Sequence, residues 1–123
     1  RVPGSVHAYA DRALDYGIPA VRDHHLQLIA ELLERYDVDG LELDWMRFVY
    51  HFRPGHEREG GQLLLPLLQQ VRTLATQAAA KRGHAIRLAA RVPPHPQVAR
   101  GLGLDGVAWA RAGLVDQLTL APF

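Results

Sequence analysis

Residues 38–45 read VDGLELDW. Leu41, Leu43 and Trp45 alternate with Glu42 and Asp44, the period of a β-strand whose successive side chains point to opposite faces. One face is apolar and the other carries two carboxylates. At the wetted face of an antiparallel sheet such acids are simply solvated. Within a parallel sheet they are turned among the side chains of neighbouring strands and need cations, hydrogen bonds or a water-filled cleft, because an unpaired buried charge is costly. The flanking sequence separates the two settings.

Upstream, Pro19 suits a first helical position, where its missing N–H costs nothing. Val21, His25, Leu28, Ile29, Leu32 and Tyr36 then recur at helical spacing, which predicts an amphipathic helix over 20–36. Downstream, MRFVYHFRPGHEREGG (46–61) is rich in Arg, His, Gly and aromatics. It reads as a loop longer than most βα connections, of the kind that carries function. A second helix is predicted from the stripe Leu64, Leu67, Leu68, Val71, Leu74, Ala75 and Ala78, with Gly83 to end it and Pro66 expected only near its first turn. IRLAARV (86–92) reads as a strand closed by Pro93, Pro94 and Pro96. Asp105 is placed to cap a short helix, GVAWARA, that Gly113 ends, and VDQLTLAPF supplies the last strand.

Strands near 38–45, 86–92 and 115–121 thus alternate with helices long enough to return the chain parallel, the grammar of an α/β fold. Alternation along each strand places Leu41 and Leu43, Ile86, Leu88 and Ala90, and Leu118 and Leu120 toward the helices. Glu42 and Asp44, Arg87 and Arg91, and Gln117 and Thr119 share the other face. An edge-strand accident would not recur in every strand. The pattern therefore predicts part of a parallel (β/α)8 barrel, whose catalytic groups gather at the C-terminal ends of the strands. Asp44 is the last inward residue of its strand and the candidate catalytic group. Glu42 lies one layer deeper, a second candidate or a structural carboxylate held by an arginine. Arg47 and Arg91 are the candidate partners of these acids.

Composition limits the alternatives. Hydrophobic residues make up 48% and charged residues 22% of the 123-residue chain, as in a folded globular protein. A formal charge of +1 provides no basic field for nucleic acid. The absence of cysteine excludes disulfides, thiolate metal sites and a thiol nucleophile, and is silent on compartment. No apolar stretch approaches the ~20 residues needed to cross a bilayer. The chain opens on Arg1 and closes on an apolar run, which is expected of a central segment whose barrel is completed elsewhere.

The stretch LDYGIPAVRDHHLQLIAELLERYDVDGLELDWMRF resembles the region through the fourth strand of glycoside-hydrolase-like TIM barrels, on Asp15, Pro19, Val21, Arg22, Tyr36, Val38, Asp39, Gly40, Leu43 and Asp44. The likeness continues weakly through ARVP (90–93) and GLDGVAWARAGLVD (103–116), so that the chain would span about helix 3 to strand 6. The resemblance implies a carbohydrate substrate, no cofactor, and hydrolysis through Asp44. In similar retaining barrels, those of alpha-amylases and alpha-galactosidases, an aspartate ending the fourth strand is the nucleophile. Those families carry their acid/base carboxylate on the fifth or sixth strand or its loop, where RVPPHP and LTLAPF offer none. Glu57 and Glu59 are the substitutes within the chain. Glu42 and Asp44 are stacked about 6 to 7 Å apart along one strand and do not flank a glycosidic bond.

Arg47, Tyr50, His51 and Arg91 are candidates for orienting sugar hydroxyls. Trp45, Phe48, Tyr50 and Phe52 either stack on sugar rings or anchor the long loop. His51, His56 and Glu57 lack the spacing of a metal motif, so no metal is expected. His24 and His25 fall in mid-helix, remote from any strand's C-terminal end. His95 among prolines either reaches the cleft mouth or belongs to a rigid turn. No P-loop, dinucleotide fingerprint or nucleophile elbow occurs. A noncatalytic carbohydrate-binding or structural barrel is the alternative, and a metal-dependent hydrolase ranks below it.

Overall fold

The computed structural model describes residues 13–122. The elements are α1 (Pro19–Arg35), β1 (Gly40–Asp44), α2 (Glu57–Arg82), β2 (Arg87–Val92), α3 (Pro96–Gly101), α4 (Gly106–Arg111) and β3 (Gln117–Leu120). The strands form an open parallel sheet in the order β1-β2-β3, with Leu43 level with Ala90 and Leu118. One core cluster joins Leu26 of α1, Leu64, Leu67 and Leu68 of α2 and Trp109 of α4 to Leu43, Ala90, Val92 and Leu118, and a second, on the same face, gathers Leu33, Val71, Ala75, Ile86 and Leu88. All the longer connections therefore lie on one face of the sheet. The other face stays open, as the alternation of β2 records: Leu88 and Ala90 are fully buried while Arg87 is exposed.

Local chemistry explains most element ends. Pro19 starts α1, Gly83 closes α2 at φ 80°, and the Asp105 carboxylate accepts the Ala108 N–H at 3.1 Å to cap α4. Three expectations are corrected. First, α2 begins at Glu57, so the loop after β1 ends at residue 56 and Pro66 lies well inside the helix. Pro66 and Gln62 are both exposed. The carbonyl that loses its i+4 donor thus faces solvent, which blunts the cost of the proline. Second, the prolines that end β2 also start a helix: Pro96 is the first residue of α3. Third, the buried stripe of α1 is rotated from the expected one. Leu33 is buried and Leu26 and Ile29 pack on the core, whereas Leu28, Leu32 and Tyr36 remain 48%, 37% and 57% exposed.

The N-terminal ends of the strands are tied by polar contacts. Asp116, just before β3, accepts the Leu88 N–H at 2.8 Å and Arg72 Nη1 at 3.1 Å, fastening α2 to β2 and β3. These donors, the Leu88 amide first, hold the Asp116 carboxyl below its ordinary value. Nearby, His84 Nε2 donates to Asp37 at 2.6 Å and its Nδ1 to the Ala85 carbonyl at 3.0 Å, a fully satisfied imidazolium.

The Ala85 carbonyl and then Asp37 raise the His84 pKa above 6.5, and the His84 bond lowers that of Asp37 below 3.8. Arg82 and Asp39 are the other charges acting on this pair. The stabilisation from His84 is present below 6.5 and is lost as pH rises through its folded value, while that from Asp37 is lost as pH falls through its own. The expected result is an NMR titration midpoint for His84 above 6.5. The stability difference from His84→Gln should be largest near pH 5 and shrink on raising the pH. A midpoint at or below the ordinary histidine value would refute the linkage.

Candidate functional site

The open face brings together the polar side chains expected there. Register places Glu42, Ala89 and Gln117 in one row across the sheet and Asp44, Arg91 and Thr119 in the next, toward the strands' C-terminal ends. Asp44 ends β1. Its Oδ1 accepts the Met46 N–H at 2.8 Å, an Asx-type turn that starts the following loop, and its Oδ2 accepts Arg91 Nη1 at 3.1 Å. Arg91 is thus the cation that faces Asp44. Arg47 is exposed with its guanidinium 5.7 Å from the centre of the Phe48 ring.

Glu42 is held differently from the expected arginine contact. Thr119 Oγ1 donates to Glu42 Oε1 at 2.6 Å, reaching from β3 to β1 over the intervening strand. Outer strands of such a trio stand roughly 10 Å apart at their backbones. A threonine hydroxyl and a glutamate bridge that gap only by lying across β2, and Ala89, the small residue opposite Glu42, leaves them the room.

The loop after β1 turns inward. Trp45 and Phe52 are buried in the core, so they serve as apolar anchors, while Tyr50 is 51% exposed. His51 is buried too, and its Nε2 donates to the Trp45 carbonyl at 2.8 Å. Burial pushes its pKa below the ordinary value, against the opposing effects of that carbonyl and of Asp44. His51 is therefore neutral at pH 7 and holds the loop on its own anchor. Its carbonyl accepts the Tyr16 N–H at 2.8 Å, joining the segment before α1 to the same structure.

A cleft of about 240 Å³ lies at the free edge of β1, where Glu42, Asp44 and Trp45 and Tyr16, His25 and Ile29 line it together with Leu67, Leu68 and Val71 of α2. His25 is thus near the C-terminal end of a strand, contrary to the sequence reading. The reason is geometric: α1 runs back against the strand that follows it, so its first turns lie over that strand's far end. The His25 ring packs against Tyr16 at a tilt of 37°, with centroids 5.0 Å apart, and donates from Nδ1 to the Val21 carbonyl at 2.8 Å. Burial raises the Tyr16 pKa, keeping the phenol protonated. Neither Tyr16 nor His25 carries a motif that would have flagged it.

Glu57 and Glu59 lie in the first turn of α2. Glu57 accepts the Gly55 N–H at 3.1 Å, and Glu59, 3.6 Å from His56, lines a separate cavity with Asp15, Arg53 and Phe52. Neither lines the cleft of Asp44. Among the described residues, no three His, Cys, Asp or Glu side chains gather as a metal site, and no helix is long and apolar enough to cross a membrane. A comparison with protein-family models and a search of curated proteins find no match for this chain.

Proposed function

We propose that the chain contributes to a (β/α)8 barrel that cleaves a glycosidic bond, with Asp44 as nucleophile or electrostatic stabiliser. The observation that carries this reading is the convergence of Asp44, Glu42, Arg91 and Thr119 on one open face, with Asp44 at the C-terminal end of its strand. An uncharged sugar offers many hydroxyls, which donate to carboxylates and accept from an arginine.

Sequential strand order with the helices on one face suits a barrel. A doubly wound sheet reverses its strand order and covers both faces. Both flanks are also apolar. Beside β1, Leu28 and Leu32 are exposed on α1; beside β3, Leu120 is 58% exposed above a groove containing Val92, Val107 and Leu118. Further βα units on either side would cover these surfaces. Carbohydrate binding without cleavage is the second reading, favoured because, among the described residues, Glu42 is the only other carboxylate that lines the cleft and it shares a strand with Asp44. Sugar contacts from Arg47 and Tyr50 belong to the proposal, and His51 acts in it through the loop.

The test is incubation of the full-length protein with p-nitrophenyl α- and β-glycosides of glucose, galactose, mannose, xylose and N-acetylglucosamine, and with malto- and cello-oligosaccharides. Release of nitrophenol or of shorter sugars is expected. Binding without release selects the second reading, and neither binding nor release removes both.

A further inference from the structure

Glu42 and Asp44 differ in what their oxygens still lack. Asp44 has a donor on each oxygen, the Met46 amide and Arg91. Glu42 has Thr119 on Oε1, and among the described residues nothing donates to Oε2. An ionised carboxylate only accepts hydrogen bonds. On an exposed face, the free oxygen of Glu42 therefore awaits a donor from solvent or ligand, while the Thr119 bond stops the carboxylate from rotating away.

We propose that Glu42 anchors a hydroxyl group of the bound sugar through Oε2 and that Thr119 is its positioning residue. The assignment rests on the carbohydrate reading of the site and divides its labour: Asp44, held from both sides, is the fixed anion of the chemistry, and Glu42 holds the sugar in the layer beneath. Ala89 is part of the device, because a larger side chain there would lie beneath the Thr119–Glu42 bridge and displace it.

A hydroxyl anchored equally in the ground and transition states affects KM and leaves kcat nearly unchanged. In the full-length protein, with the p-nitrophenyl glycoside that wild type cleaves fastest, Thr119→Val is expected to raise KM about tenfold, the loss of one charge-assisted hydrogen bond held in place. The kcat should stay within about threefold of wild type on this uniform-binding argument. Thr119→Ser keeps the donor and should restore KM, and Ala89→Leu should reproduce the valine variant. An unchanged KM in Thr119→Val, or a serine variant no better than valine, overturns the anchoring role while leaving glycoside cleavage standing. If wild type cleaves none of the glycosides but binds cellohexaose or maltohexaose by calorimetry, cleavage is refuted and the same variants are judged by Kd. Absence of both cleavage and binding overturns the anchoring role together with the carbohydrate reading.

Discussion

Asp44→Asn in the full-length protein is expected to reduce glycoside turnover by roughly 10³-fold or more, as removal of a nucleophile or of the charge facing a cationic transition state does. The fold should barely register the change. The amide oxygen of asparagine can still accept the Met46 N–H. The lost ion pair with Arg91 is solvent-screened, its side chains being 38% and 41% exposed, and exposed pairs contribute little. A melting temperature within about 2 °C of wild type is expected. Assay of sugar release beside calorimetry separates the outcomes: retained turnover sinks the assignment of Asp44, and lost turnover with lost folding would point to a structural role instead.

A large expected effect on stability comes from Gly103→Ala. Gly103 lies between α3 and α4 at φ 78°, where a non-glycine residue costs about 1 kcal/mol. An added Cβ would stand 2.5 Å from the Glu57 carbonyl oxygen and 2.8 Å from the buried Phe52 ring. The first of these is backbone in the opening turn of α2, which the neighbouring Gly61 also brings to within 3.0 Å of Gly103, measured from its own added Cβ. The turn can relieve the clash only by lifting away from α2. A destabilisation of about 3 kcal/mol or more follows, read as a clear fall in melting temperature. Gly101→Ala is the control, since nothing lies within 4 Å of its added Cβ, and it should melt close to wild type. Equal melting of the two variants would refute the close approach.

How far the sequence could be read depended on whether the deciding forces were local. The alternation in β1, the Asp105 cap and the Gly83 stop are written in adjacent residues, and each holds in the structure. The Arg91–Asp44 contact was legible too, because alternation placed both residues on one face of neighbouring strands. The α1 face was not. Leucines at 26, 28, 32 and 33, with Ile29, fit more than one helical stripe, and packing against α2 and the strands selects among them. Thr119 holding Glu42 needed the register of all the strands at once. His25 needed the direction of a helix over its strand. Pro66 misled because the penalty of a helical proline depends on whether the abandoned carbonyl meets water, which only the exposed side of α2 decides.

The pairing of Trp45 with Trp109 has a spectroscopic consequence. These are the chain's two tryptophans; both are at least 95% buried, and their rings lie 5.8 Å apart. Indole emission from residues 1–123 thus originates in the apolar core, with Trp45 one residue from Asp44 and its ring 5.2 Å from His51. A red shift would signal loosening of the loop behind the cleft, and near-ultraviolet dichroism would follow the same packing. The chain carries an intrinsic optical reporter of whether the scaffold beneath its carboxylates is closed.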